Sequence, residues 1–381
     1  YKEVIIMFYK MPIPGNPIDI DIHIADIHFG VIDPNTQLQI LMEQFIWKIQ
    51  NIPFNTVYIN GDLFDHKVMA SSQTAKVALE FITTLANLCK MKNATLVILA
   101  GTASHDAGQL SLFYHLSSDQ GLDVRIVEQT RFEYIGHKKV LCIPEEYDRG
   151  EDYYYHFLNQ PYDMAILHGV FQGSIYGSNE ADLDGSRPVF CMDHFYQCGG
   201  PIICGHVHKA GCFQQHAYYT GSPIRFSFGE EEPKGYLIIL HDLNTNNYYT
   251  HFEEIKSFRY DTINLDHMME GDPKDIIEYI KNLQLNGVDF VRIEFTKENA
   301  NVMTLLKNYY RNNKTVKIKD ETTQTVMQKK IQENNEQFDQ YSYLFDNTLT
   351  EYDKLSQYIN QQKGYDFISA EELKNILLDM I

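Results

Sequence analysis

Short apolar runs alternate with helical patterns through the first two-thirds of the chain. Residues 18–25, IDIDIHIA, alternate apolar and polar side chains as a strand does. Leu38, Leu41, Met42, Phe45, Ile46 and Ile49 then recur at helical spacing. TVYIN (56–60) is a short buried strand, and residues 72–90 place Val77, Phe81, Leu85 and Leu88 on one helix face. ATLVILAG (94–101), DMAILHG (163–169) and PIICGHVH (201–208) are further strands. KGYLIILHDL (234–243) and NYYTHFEEI (247–255) follow with no helix between them. Strands separated by helices predict an α/β layered fold. The closing run of strands predicts that one sheet is partly antiparallel.

Near residue 257 the pattern changes. FVRIEF (290–295), with helical stretches at 273–284 and 298–312, predicts a small separate α/β unit. Residues 320–340 are polar and rich in Gln, Asn and Glu, the composition of a linker or a solvated helix. A helix-like stretch (348–362) and Gly364 precede SAEELKNILLDMI, where Ser369 and Glu372 make a capping box. Leu373, Ile376, Leu377 and Met380 then form one apolar helix face, suited either to its own core or to a partner. Three regions result, 1–257, 258–320 and 321–381.

Composition narrows the class. Hydrophobic residues make up 44%, as in ordinary globular proteins. No stretch approaches the roughly 20 apolar residues of a membrane span, and the opening residues lack the small-residue cleavage site of a signal peptide. The expectation is a soluble, cytoplasmic protein with no membrane contact. Six cysteines, none in C-x-x-C spacing, fit reduced thiols. The formal charge of −19, from 32 basic and 51 acidic side chains, repels nucleic acid at long range. DNA binding would therefore need a local basic patch, bound cations or a basic partner.

The chemistry lies at the strand ends. The first strand is followed by Asp26-Ile27-His28, the second by Gly61-Asp62-Leu63-Phe64-Asp65 and the third by Gly101 to Asp106. The next two run into His168-Gly169 and Gly205-His206-Val207-His208. Ligands gather at the carboxyl ends of strands in α/β sheets, and five successive ends offer Asp or His. Residues two apart on an extended chain point to one side, so Asp26 with His28, and His206 with His208, can face one ion. Mixed carboxylate and imidazole donors suit manganese, iron or zinc better than calcium. A shared carboxylate implies two ions, about 3.5–4 Å apart.

The order D-x-H, G-D, S-H-D, H, G-H-x-H over residues 18–243 resembles the calcineurin-like metallophosphoesterase superfamily. GDLFD and YYTGSPIRFSFGEEEPKGYLIILHDL (218–243) narrow the resemblance to SbcD-type and meiotic-recombination-eleven nucleases. Some phages encode such proteins, and the Asn/Tyr/Ile-rich composition would suit one, acting in the host cytoplasm. The resemblance implies a β-sandwich flanked by helices (αββα), a capping domain after residue 257 and C-terminal helices.

It also implies a hydrolase that degrades double-stranded DNA ends and cuts single strands or hairpins during recombination and repair. Two divalent ions, Mn2+ or Mg2+, would be bound. Asp26, His28 and His208 resemble the ligands of one, His168 and His206 those of the other, and Asp62 the carboxylate between them. His105 matches the acid for the leaving group, Asp106 its orienting partner, and Asp65 a further active-site position. Where the family has Asn before the histidine, this chain has Ser104, in a loop two residues longer. Ser104 could ligate, a water could fill the gap, or Thr102 could contribute.

The segment 307–319 carries Lys307, Arg311, Lys314, Lys317 and Lys319 with no acidic residue, a candidate DNA contact. Arg225 is placed as a structural ion-pair residue near the site. Partners implied are DNA, an SbcC-like SMC-type coiled-coil ATPase docking on 341–381, and a second copy in a homodimer. The competing readings are a small-molecule or cyclic-nucleotide phosphodiesterase, and a catalytically degenerate DNA-end-binding scaffold.

Overall fold

The alternating segment that opens the pattern is strand β1 (Ile18–Ile24), and it sits in the middle of a sheet. Its Ile22 and Ile24 pack beneath helices, while Asp21 and His23 point to the opposite face. The computed structural model describes residues 17–320 apart from 119–120, 177–178, 181–187, 215, 231, 266–272, 296–299 and 314. It falls into two compact units that divide between Tyr260 and Asp261.

Helix α1 (Pro34–Leu41) starts where the Asp33 carboxylate accepts the Thr36 N–H at 3.0 Å, with Pro34 in the first turn. It runs on through a π turn (Met42–Ile46) and a last α turn (Trp47–Ile49). Strand β2 (Thr56–Asn60) leads to α2 (Gln73–Lys92). There Ser72 caps the Ala75 N–H at 3.1 Å, and left-handed Asn93 ends the helix. Strands β3 (Thr95–Leu99), β4 (Val124–Val127), β5 (Arg131–Ile135) and β6 (Lys138–Ile143) precede α3 (Glu151–Leu158). Then come β7 (Met164–His168), β8 (Ile202–Gly205), β9 (Gly211–Gln214), β10 (Ala217–Tyr219), β11 (Gly235–Asp242) and β12 (Asn247–Glu254).

These strands form two mixed six-stranded sheets, ordered β12-β11-β1-β2-β3-β4 and β9-β10-β8-β7-β6-β5. β1 to β4 are parallel, with antiparallel β11 and β12 beside them. In the second sheet β10, β8, β7 and β6 are parallel, and β9 and β5 are antiparallel edges. Both sheets, not one, are therefore partly antiparallel.

The sheets face each other. Tyr58, Val97, Leu99 and Ile239 of the first share a core with Val140, Cys142, Ile166 and Ile203 of the second. Helices α1 and α2 cover the outer face of the first sheet through Leu41, Phe81 and Leu85. Tyr154 and Leu158 of α3 cover the second. The layers are helix, sheet, sheet, helix. One charged pair lies in the apolar layer between the sheets: Lys138 of β6 donates to Asp21 of β1, with side chains only 2% and 1% exposed.

The second unit holds a three-stranded sheet, β13 (Tyr260–Asn264, which begins at the last residue of the first unit), β14 (Phe290–Phe295) and β15 (Val316–Asp320), with helices α4 (Pro273–Leu285) and α5 (Ala300–Tyr309). β14 and β15 are parallel. Ile276, Ile280, Val291, Ile293, Leu306 and Val316 make its core. Among the described residues no helix is long and apolar enough to cross a membrane, and the six cysteines form no disulfide. The linker and terminal helices expected in 321–381 lie outside the described residues.

Candidate metal centre

Parallel registers bring the strand ends together. Ile24 pairs with Ile59, Asn60 with Leu99, and His168 with Gly205, so β1 to β3 finish at one edge and β7 and β8 at another. The loops continue the pairing: Asp26 N–H donates to Gly61 O at 3.1 Å and His28 N–H to Asp62 O at 3.0 Å. Buried Gln37 holds the first loop by donating to Ile27 O at 2.5 Å and taking the Gly30 N–H at 3.3 Å.

The backbone is strained where the site is. Seven non-glycine residues among those described have positive φ, and Asp26 (51°), His28 (51°), Asp62 (50°) and His206 (85°) are four of them. Such conformations cost about 1–3 kcal/mol each and persist where the surroundings fix them. Space is equally tight. A Cβ on Gly101 would stand 2.2 Å from Asp62 N and Oδ1, and one on Gly205 would stand 2.1 Å from Asn60 O.

Two His/Asp clusters result, each with donor atoms mutually within 4.8 Å: Asp26, His28 and His208, and Asp62, His168 and His206. Asp62 Oδ2 stands between them, 3.2 Å from His168 Nε2 and 3.8 Å from His28 Nε2. The Nε2 atoms of His28 and His208 face each other at 3.0 Å. His206 N–H donates to Asp26 Oδ1 at 2.8 Å, so the clusters are also joined through backbone. A third cluster combines His28, Asp65 and His105, and the rings of His28 and His105 meet edge to face at 4.9 Å.

The outer groups orient the imidazoles. His168 Nδ1–H donates to Asn60 O at 2.8 Å, which fixes the tautomer and turns Nε2 toward Asp62. Glu230 Oε1 stands 4.0 Å from His208 Nδ1, and Lys234 donates to His208 O at 3.0 Å.

Burial decides the proton affinity of two of these groups and is overcome by neighbouring charge in two others. It holds the His28 imidazolium unfavourable and its pKa at about 4, against the opposing pull of Asp62 and Asp26. For His168 burial pushes the same way, but the Asp62 carboxylate wins and the pKa rises well above the usual value. Asp62 itself would be raised by burial, yet its histidine neighbours hold it well below the carboxylate range. Burial raises Asp106 to about 6, helped by the Asp62 charge and opposed by backbone N–H groups.

These residues fit divalent cations. Asp26 Oδ2 is buried with no hydrogen-bond partner among the described residues. Buried polar atoms without partners are rare unless a water or an ion satisfies them. Facing imidazole nitrogens beside carboxylates make a mixed nitrogen and oxygen donor set, the kind that manganese, iron and zinc take.

The remaining expected residues fall as follows. Ser104 is exposed, and buried Thr102 stands by the cluster instead, donating from N–H to Asp62 Oδ1 at 2.6 Å. Asp106 accepts from the N–H groups of Gly101 (2.8 Å), Phe64 (3.1 Å) and Leu63 (3.3 Å). It therefore ties the β3 loop to the β2 loop. Asp65 lies 3.8 Å from His28 Nδ1 and 3.0 Å from His66 Nδ1. Arg225 donates to the carbonyls of Phe258 and Glu232, each at 3.4 Å. In the second unit Lys307, Arg311 and Lys317 are exposed, and Lys319 stands 3.4 Å from Glu294. Lys314 lies outside the described residues. Glu145 and Gln37 belong to the site without having been singled out in the sequence. Glu145 follows β6 in PEE, the same strand-end position that marks the other acidic and histidine residues.

No protein-family model matches this sequence, and no curated protein matches it. Similar solved structures include a nuclease, MPE, of Pseudomonas putida, at 15% identity and a TM-score of 0.24, covering 52% of this chain and 66% of that one. They also include a cold-active protein-tyrosine phosphatase of a psychrophilic Shewanella, at 12% identity and a TM-score of 0.29, covering 63% and 80%. Both scores lie far below 0.5, so the reading of the site rests on this chain's own residues.

Proposed function

We propose that the chain is a metal-dependent phosphodiesterase acting on DNA, of the SbcD or meiotic-recombination-eleven nuclease type within the calcineurin-like metallophosphoesterases. The observation that carries this is the pair of His/Asp clusters joined by Asp62. The four-layered sheet pair fits the sandwich of that superfamily. Asp26, His28 and His208 would hold one divalent ion, and His168 and His206 a second, with Asp62 serving both. Bound Mn2+ or Mg2+ supplies positive charge for the phosphate oxygens and acidity for a water nucleophile.

The chain's own groups do the rest. His105, edge-on to His28, protonates the departing sugar oxygen, a contribution typically worth about 10²–10⁴ in rate. Asp106 holds the His105 loop through backbone rather than through the ring. Lys307, Arg311 and Lys317 offer phosphate contacts. An SMC-type ATPase docked on 341–381, and a second copy of this chain, would supply the DNA clamping that an acidic nuclease lacks. Recombination and repair in the cytoplasm is the role this implies.

The charge of −19 favours a second reading, a small phosphodiester substrate. The test is cleavage of labelled double-stranded DNA with Mn2+, beside bis-para-nitrophenyl phosphate. Metal-dependent degradation of DNA supports the nuclease. Hydrolysis of the small ester alone, even with an ATPase partner present, moves the assignment to the second reading.

A further inference from the structure

Beside the second cluster, and not one of its three members, stands a carboxylate that the family pattern does not call for. Glu145 sits two residues beyond β6, on the second sheet, with its side chain 1% exposed. Its Oε2 lies 3.2 Å from His206 Nδ1, 3.7 Å from His168 Nε2 and 3.2 Å from Thr102 Oγ1. Thr102 Oγ1 is also 3.2 Å from Asp62 Oδ2. The other oxygen, Oε1, accepts from the Tyr147 hydroxyl at 2.5 Å, so the carboxylate is fixed from behind with Oε2 toward the histidines. Donors that share one cation at about 2.0–2.2 Å stand about 3–3.6 Å apart, and the spacing of Oε2 from the two imidazole nitrogens is of that order.

We propose that Glu145 is a protein ligand of the second cation site. It takes the place that a neutral oxygen donor before the catalytic histidine would hold, a place from which Ser104 is absent because it faces solvent. Thr102 spans Asp62 and Glu145 and positions both carboxylates. The lengthened loop is thereby accounted for: the missing donor comes from the opposite sheet. The site carries one more negative charge than a neutral donor would give it, and so binds its ion more tightly.

This inference rests on the dinuclear reading above, and the test separates the two. The full chain, stripped with chelator, is titrated with Mn2+ by calorimetry and by electron paramagnetic resonance. The unaltered protein is expected to take up two ions that are magnetically coupled. Glu145→Gln is expected to bind one ion unchanged, to bind the second at least about 10–100-fold more weakly, and to lose the coupled signal. Ser104→Ala is expected to keep both. If the unaltered protein binds no Mn2+, the metal reading itself is wrong. If it binds two and Glu145→Gln binds two with equal affinity, the Glu145 assignment alone is overturned. Should Glu145→Gln not fold, Glu145→Asp keeps the charge and withdraws the oxygen, and unchanged affinity there overturns the assignment equally.

Discussion

Replacing Lys138 by Met tests what holds the two sheets in register. The Lys138 ammonium and the Asp21 carboxylate meet between the sheets, 2% and 1% exposed, with Asp19 Oδ2 a further 3.7 Å from the ammonium. Methionine fills a similar volume, so packing is largely kept and charge is what changes. Asp21 is left as an uncompensated buried anion, and its Oδ1 already lacks a hydrogen-bond partner among the described residues. Removing one member of such a pair costs about 3–5 kcal/mol, whereas replacing both by apolar groups is often neutral. Urea unfolding is the assay, with stability read from the midpoint at constant slope. Lys138→Met should lose about 3–5 kcal/mol, and Asp21→Leu combined with Lys138→Met should recover most of that. A loss under about 1 kcal/mol in the single variant would refute the reasoning. So would a double variant as unstable as the sum of both singles, because the pair would then not be coupled.

Three further outcomes are expected. His23, buried against Tyr58 at 4.6 Å, has its pKa lowered to about 4, chiefly by burial. The native state thus holds fewer protons than the unfolded chain, and His23 contributes stability above about pH 6.5 that disappears as pH falls through about 4. The amount is about 3 kcal/mol, and His23→Phe should flatten that part of the urea midpoint against pH. Gly101→Ala would press a methyl 2.2 Å from Asp62 N and Oδ1. Since backbone blocks its escape, it should cost about 1–3 kcal/mol or more and weaken Mn2+ uptake; normal uptake and stability would show that the loops are looser than described. His105→Ala should lower phosphodiester hydrolysis by about 10²–10⁴ with Mn2+ stoichiometry unchanged, and loss of an ion in that variant would make His105 a ligand instead.

The sequence alone determined the alternation of strands and helices and the chemistry at five strand ends. The alternation follows from a local rule, since side-chain period separates strand from helix. The expectation that His206 and His208 face one ion fails, however: His208 joins Asp26 and His28 while His206 joins Asp62 and His168, because positive φ at His206 breaks the extended alternation there. Strands β4, β5 and β6 were not legible, since VRIV, RFEYI and KKVLCI carry charged and polar side chains amid the apolar ones. With β6 unread, the Glu145 that follows it was invisible as a strand-end residue. Only the tertiary structure decided that Glu145 reaches His168 and His206, that Ser104 faces solvent, and that Asp106 grips backbone rather than its neighbour's ring. Those outcomes depend on how closely the second sheet approaches the first, where Gly205 lies against Asn60 O. That closeness is set by packing between residues more than a hundred positions apart, and no local spacing encodes it.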